Sequence, residues 1–182
     1  MPRRGNAFAK LLARGLLTLF GWRVTGGLPD RPKVVAIVAP HTSNWDFIVG
    51  ISVVFALGLG VRFLGKDSLF KPPLGCLMRW LGGKPVVRTT PQGAVAEAAD
   101  MIAKEERVLL GIAPEGTRTR GTPWRSGFYN IAMAAKVPIL PAAFDYGRRS
   151  LTLFPLFEPT GNFEADLAKL QALYRDVRGR NP

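Results

Sequence analysis

The sequence contains few of the residues that build disulfides, metal sites and covalent centres. Among its 182 residues there is one cysteine, Cys76, and one histidine, His41. A single cysteine cannot form an internal disulfide, and this scarcity is typical of proteins from a reducing compartment. One cysteine and one histidine also cannot supply the usual thiolate and imidazole ligands of a zinc site, so we expect no metal.

Long hydrophobic runs are lacking as well. The longest stretch without a charged residue, residues 47–61, holds 15 residues, three of them glycine. A membrane-spanning helix needs about 20 apolar residues, so this stretch predicts a buried core helix instead. No Gly-x-Ser-x-Gly motif is present, which argues against a serine hydrolase. Residues 60–66 resemble a phosphate-binding loop, but Asp67 stands where that motif needs Ser or Thr.

Acidic residues are scarce relative to basic ones. The chain has 13 Asp and Glu against 25 Lys and Arg, a net charge of +12. Such a charge favours an anionic partner, which can be nucleic acid, an anionic membrane or a phosphorylated substrate. A basic nucleic-acid-binding domain is therefore one hypothesis. The sequence has neither an RNP-like aromatic and basic stretch nor a set of zinc ligands, so we expect no nucleic-acid partner.

The first 25 residues predict a basic amphipathic helix. Lys10, Arg14 and Thr18 line one side of it, at helical spacing. This pattern is typical of a helix that lies in a membrane interface, although docking on the protein's own core is an alternative, and one helix can do both. We assign residues 1–25 to a membrane-associating helix and residues 26–182 to the main domain. The six residues expected to contact the membrane are Phe8, Leu11, Leu12, Leu16, Leu19 and Phe20.

Short β-branched runs alternate with helical patterns along the rest of the chain. This alternation predicts a single layered α/β domain with a mostly parallel central sheet flanked by helices. In such sheets, functional sites gather at the carboxyl ends of the strands. Strands are predicted at residues 34–39, 61–64, 85–88, 108–112 and 139–144, with an edge strand at 151–157, and helices at 46–57, 74–81, 94–106, 128–136 and 165–177.

His41 directly follows the first predicted strand, and Asp46 stands five positions later. On one continuous helix this spacing turns about 500°, so the two side chains meet only if the chain turns between them. Residues 42–44 are Thr, Ser and Asn, which favour a turn and a helix N-cap. A carboxylate bonded to one imidazole nitrogen leaves the other nitrogen free to accept a proton. The pair therefore predicts a general base, with a structural loop histidine as the alternative.

A second candidate site follows the strand at residues 108–112. Gly116 allows a ligand to approach the backbone closely, and Arg118 offers a fork of donors suited to phosphate. Arg88, at the end of a predicted strand, can add a second positive charge, and Lys66 a third. The alternative is that these side chains are solvated and that Glu115 pairs with an arginine.

Taken in order, these segments resemble the ordered sequence blocks of the glycerolipid acyltransferase family, which includes bacterial 1-acylglycerol-3-phosphate acyltransferases. The resemblance covers residues 41–141, more than half of the chain. The segments that carry it are His41-x4-Asp46, Lys66-Asp67-Ser68-Leu69-Phe70, residues 83–88, Pro114-Glu115-Gly116-Thr117-Arg118 and Val137-Pro138-Ile139-Leu140-Pro141.

The resemblance implies an O-acyltransferase of phospholipid biosynthesis. In this scheme His41 deprotonates the acceptor hydroxyl and Asp46 orients the imidazole. The acceptor oxygen attacks the thioester carbonyl of acyl-CoA or acyl-carrier protein, and the thiol departs. The scheme uses no covalent acyl-enzyme, metal or cofactor. The implied acceptor is a lysophospholipid such as lysophosphatidate, and the implied location is the cytoplasmic face of the cell membrane, with peripheral or monotopic attachment to an anionic surface.

The resemblance also implies binding roles, and it has two departures. Ala113 replaces the aromatic residue that usually opens the third block, and residues 83–88 lack the usual aromatic of the second. The acceptor can therefore be another lysophospholipid or a non-glycerolipid alcohol. The residues implied to bind the acceptor phosphate are Lys66, Arg88, Glu115, Gly116, Thr117 and Arg118, and those implied to shape the acyl site are Val137, Pro138 and Pro141.

Overall fold

The computed structural model describes residues 1–86, 90–117 and 122–181. The described residues form a seven-stranded sheet. Its strands are β1 Arg23–Thr25, β2 Lys33–Ala39, β3 Arg62–Lys66, β4 Gly83–Val86, β5 Val108–Ile112, β6 Ile139–Asp145 and β7 Ser150–Leu153. Their order is β1-β7-β6-β2-β5-β3-β4. Neighbours are parallel except β6 and β7, which are antiparallel. This confirms the expected α/β fold with a mostly parallel sheet.

Helices cover both faces of the sheet. They are α1 Ala7–Leu19, α2 Asn44–Ala56, α3 Gly75–Trp80, α4 Pro91–Lys104, α5 Gly127–Ala135 and α6 Phe163–Ala172, with a 3-10 helix at Asp67–Phe70. Along β2, Val34 and Ala36 pack into the core under α1 and α2. Val35 and Ile37 pack into the opposite core, with α4, α5 and α6. A strand buried on both faces explains the uninterrupted apolar run at this point of the sequence.

The predicted edge strand at residues 151–157 is wrong in two respects. The strand ends at Leu153, and β7 lies inside the sheet, between β1 and β6. It has a second neighbour because Arg23–Thr25 pairs with it in parallel. Three residues are too few to show a β period, so the sequence pattern did not predict β1. The division at residue 25 stays a prediction, although residues 23–25 lie in the sheet.

The strand register brings several loops to one edge of the sheet. Ala36 in β2 lies opposite Gly111 in β5 and opposite Leu140 in β6. Because these three strands are parallel, the residues that follow them leave the sheet at the same edge. His41 follows β2 and Glu115 follows β5, so the two candidate sites of the sequence become neighbours.

Candidate active site

His41 and Asp46 form a close pair at the carboxyl edge of the sheet. Nδ1 of His41 lies 3.1 Å from Oδ2 of Asp46, whose side chain is fully buried, whereas 19% of the histidine side chain is exposed. In the neutral imidazole, an Nδ1–H that donates to the carboxylate leaves Nε2 with its lone pair. In that tautomer a buried anion holds the imidazole in place, and Nε2 is the ring nitrogen that can accept a proton.

The turn between the two residues is a helix cap. Ser43 is the N-cap of α2, and its Oγ accepts from the backbone N–H of Trp45 at 3.2 Å. Oδ2 of Asp46 accepts from the backbone N–H groups of Ser43 and Thr42, both at 2.8 Å. This reciprocal capping box satisfies amide groups that the first helical turn leaves unpaired. The chain thus turns where the Thr-Ser-Asn sequence predicted, with Asp46 in the first turn of the helix.

Tyr146 completes the hydrogen bonding of the buried carboxylate. Its hydroxyl donates to Oδ1 of Asp46 at 2.6 Å, from the turn after β6. The ring of Tyr146 packs edge-on against Trp22, with centroids 4.9 Å apart. No motif in the sequence indicated Tyr146. Its position, two residues beyond the predicted strand 139–144, is the only signal that indicated it.

These contacts decide the ionisation of the buried groups. Burial raises the pKa of the Asp46 carboxyl group, but hydrogen bonds from His41, Tyr146 and Ser43 outweigh burial and hold that pKa below its usual value. Burial, followed by the hydrogen bond to Asp46, raises the pKa of the Tyr146 hydroxyl above its ordinary value. At neutral pH Asp46 is therefore an anion and Tyr146 a proton donor.

Glu115 supports the loop that carries His41. Its carboxylate oxygens accept from the backbone N–H of His41 at 3.1 and 3.3 Å. The residue is buried, and burial raises the pKa of its carboxyl group. The adjacent Gly116 has a φ of +65°, a conformation that glycine adopts without steric cost. Glu115 thus contacts the backbone of the histidine loop, and its implied role toward phosphate stays a prediction, as do those of Gly116 and Thr117.

The other residues with implied phosphate or acyl roles do not all lie near His41. Arg88 and Arg118 lie outside the described residues. Lys66 is exposed at the carboxyl end of β3. Val137 and Pro138 are buried just before β6, at the opposite edge of the sheet, about 20 Å along the strands from His41. Pro141 is buried within β6, opposite Ile37. Val137 and Pro138 thus lie far from the histidine, and the implied acyl-site role of all three residues stays a prediction.

Helix α1 has an unusual orientation. Its buried residues are Ala13 and Leu17, and Nε of Arg14 donates to the carbonyl of Ala56 at 3.1 Å, at the end of α2. A narrow strip with Ala13 and Leu17 thus packs on the core, whereas the larger apolar side chains of the helix face outward. No described helix is long and apolar enough to cross a membrane. The outward side chains are Phe8, Leu11, Leu12, Leu16, Leu19 and Phe20, with 42% to 77% exposure.

Comparisons with known proteins identify the family of this chain. The family model described as Acyltransferase matches residues 24–145. The chain therefore belongs to the Acyltransferase family. The matched range includes His41, Asp46 and Glu115, and it ends one residue before Tyr146.

Curated relatives carry a more specific description. The 1-acyl-sn-glycerol-3-phosphate acyltransferase of Escherichia coli is 31% identical over 150 residues, which cover 77% of this chain and 59% of the relative. The protein of the same name from Bacillus subtilis is 28% identical over 110 residues, which cover 59% and 54%. The chain thus spans less than two thirds of the length of these relatives.

A solved structure shares the fold. The crystal structure of the 1-acyl-sn-glycerophosphate acyltransferase of Thermotoga maritima superimposes with a TM-score of 0.59 at 22% identity. The match covers 94% of this chain and 80% of that protein. At this identity the similarity establishes the fold alone.

Proposed function

We propose that this protein transfers a fatty acyl group from an acyl thioester to the hydroxyl of a phosphate-bearing lysolipid. Lysophosphatidate is the first candidate acceptor, because the curated relatives are named for acylating it. The observation that carries the proposal is the 3.1 Å pair of His41 and buried Asp46 at the carboxyl edge of the sheet. This is the position where α/β folds hold their functional groups.

The chemistry follows from the fixed tautomer of His41. Nε2 accepts the proton of the acceptor hydroxyl as its oxygen attacks the thioester carbonyl. A C–O bond forms, and the C–S bond breaks when the tetrahedral intermediate collapses. The departing thiolate takes the proton back from the imidazolium, so His41 ends neutral. Asp46 stabilises the transient imidazolium, because its fully buried carboxylate is charged throughout the reaction.

The positive charge of the protein favours phosphate groups on both the acyl donor and the acceptor. The net charge of +12 attracts coenzyme A, carrier protein and an acidic lipid alike. Lys66 lies exposed at the same edge as His41, two strands away. Arg88 and Arg118 match the family's phosphate-binding positions in the sequence. Together these cations favour an acidic acceptor over a neutral alcohol.

The exposed side of α1 supports attachment to a membrane surface. Six large apolar side chains point away from the protein, as an interfacial helix requires. Each basic residue near an anionic membrane surface contributes about 1 kcal/mol to the free energy of binding. We place the protein at the cytoplasmic face, where acyl thioesters are available. The lipid acceptor would then reach His41 from the membrane without entering the solvent.

Product formation tests the proposal directly. Purified protein is mixed with acyl-CoA or acyl-carrier protein and with lysophosphatidate, other lysophospholipids or monoacylglycerol in mixed vesicles. Thiol release and lipid products are then followed by mass spectrometry. We expect phosphatidate from lysophosphatidate, and no product with His41→Ala. Absence of product with every pair, or equal product from the histidine variant, would contradict the proposal.

A further inference from the structure

Residues 178–181 lie across the turn that carries His41. The backbone N–H of Asn181 donates to Oγ1 of Thr42 at 3.3 Å, and its side-chain amide donates to the Thr42 carbonyl at 2.9 Å. Thr42 is the residue directly after the proposed base. This segment is far along the chain from the histidine and lies beyond the residues that the family model matches.

Close packing holds the same segment against the loop. A Cβ added to Gly179 would meet Oγ1 of Thr42 at 2.9 Å and Cγ of Pro40 at 3.2 Å, so the glycine allows this approach. The carbonyl of Arg178 accepts from the backbone N–H of Tyr146 at 2.8 Å. The 178–181 segment is therefore fixed to the residues on both sides of His41 and to the tyrosine that holds Asp46.

Arg180 extends from this segment toward the site. Its guanidinium carbon lies 4.9 Å from the centroid of the Trp45 ring. The guanidinium also faces the hydroxyl of Tyr146. Among the described residues, no ion pair involves Arg180, and its side chain is exposed. The aromatic ring thus orients an exposed cation beside the tyrosine that holds Asp46.

We propose that Arg180 binds a phosphate group of a substrate beside His41, which makes the 178–181 segment part of the active site. A guanidinium presents parallel N–H donors that suit phosphate, and its stacking on Trp45 limits the freedom lost on binding. The phosphate belongs either to the acceptor lipid or to the acyl donor. The inference rests on the proposed acyl transfer for the identity of these substrates.

Kinetics with matched substrates distinguish the two sources. Arg180→Gln is compared with wild type, with the conservative Arg180→Lys and with Arg175→Gln, an exposed arginine on the turn after α6. Acceptors are lysophosphatidate and phosphate-free monoacylglycerol, and donors are acyl-CoA and a short acyl thioester without phosphate. We expect KM to rise about tenfold only for the substrate whose phosphate is bound, with partial retention in Arg180→Lys. Unchanged constants, or equal losses with and without phosphate, would overturn the inference.

A binding measurement keeps the test independent of turnover. The indole N–H resonance of Trp45, assigned by its loss in Trp45→Phe, is followed by NMR during titration with glycerol 3-phosphate, glycerol or coenzyme A. We expect a shift with one of the phosphate compounds, none with glycerol, and none in Arg180→Gln. A resonance that never moves, or that moves equally in the variant, rejects the site. Binding without any acyl transfer in the wild type would instead reject the proposed function and leave the phosphate site standing.

Discussion

The hydroxyl of Tyr146 donates a 2.6 Å hydrogen bond to Oδ1 of Asp46, on the carboxylate oxygen that His41 does not use. The two residues are 100 positions apart. Oδ2 receives the imidazole and two backbone N–H groups, so both oxygens of a fully buried carboxylate are engaged. The direction of that carboxylate, and with it the direction of Nε2, is therefore set from three sides.

Tyr146→Phe should lower kcat while changing KM little. The substitution leaves Oδ1 of buried Asp46 without its donor, and the carboxylate can then turn away from His41. We expect kcat to fall about tenfold, the loss that one charged hydrogen bond represents. Steady-state rates and thermal unfolding are measured together.

Tyr129→Phe is the matched control for this prediction. Its hydroxyl donates to Oδ2 of buried Asp166 at 2.8 Å, in the other core of the molecule. That variant should lose stability and keep its kcat. Equal kcat in the two variants would show that Tyr146 does not position Asp46 for the reaction.

Asp46→Asn should impair the chemistry more severely. An amide has one oxygen, so it cannot accept from Tyr146 on one side and from His41 and the cap amides on the other. Its NH₂ group also favours the wrong imidazole tautomer. We expect kcat to fall about 10³-fold, with KM for both substrates within about threefold. A variant with near wild-type kcat would contradict the orienting role of Asp46.

The stability of the fold should depend on pH through Asp166. Burial raises the pKa of this carboxyl group, but hydrogen bonds from Thr160 and Tyr129 outweigh burial and hold it below the usual value. The folded state then stays ionised at pH values where the unfolded chain takes up a proton. The stabilisation is thus complete above about pH 4 and is lost as the pH falls through the lowered folded-state pKa.

Urea unfolding of Asp166→Asn tests whether this carboxylate stabilises the fold at neutral pH and loses that effect in acid. The variant should be less stable than wild type by about 2 kcal/mol at pH 7, because three hydrogen-bond donors lose part of their acceptor. The difference should shrink below about pH 4, where protonation removes the advantage of the wild-type carboxylate. If the difference in unfolding free energy stayed constant from neutral to acidic pH, Asp166 would not be the source of the pH dependence.

Membrane binding should depend on the outward side of α1. Replacing Leu11 and Leu19 together by Ser removes two side chains that are 71% and 77% exposed, so the fold should not change. We expect at least about tenfold weaker binding to vesicles that contain anionic lipid. Leu173→Ser, on the opposite side of the sheet, is the control and should bind as wild type does. Equal vesicle binding by the double variant and the wild type would exclude α1 as the attachment surface.

The sheet interior and the histidine turn were predictable because local signals coincide there. The apolar run after Lys33 predicts a buried strand, and the Thr-Ser-Asn sequence at residues 42–44 predicts a turn and a helix N-cap. Arg23–Thr25 was not predictable, because three residues carry no period and the strand forms by pairing with distant β7. Side chains that reach the site from far along the chain, such as Tyr146 and Arg180, depend on the tertiary fold.

Helix α1 also combines features that the local sequence predicts with one that depends on tertiary contacts. The helix and its two sides follow from the spacing of apolar and basic residues. Which side faces the protein does not, because it depends on the packing of Ala13 and Leu17 in the core and on the bond from Arg14 to the carbonyl of Ala56. The sequence leaves both arrangements open, and the tertiary contact decides between them.

The turnover of His41→Ala, measured beside its thermal unfolding, tests the general-base role of His41. The histidine lies on a loop, and its side chain is partly exposed, so the melting temperature should stay within a few degrees of wild type. Acyl transfer to lysophosphatidate should fall by about 10³-fold or more, because the only base of the proposed mechanism is gone. A folded variant that transfers acyl groups at the wild-type rate would show that His41 is not the base of the reaction.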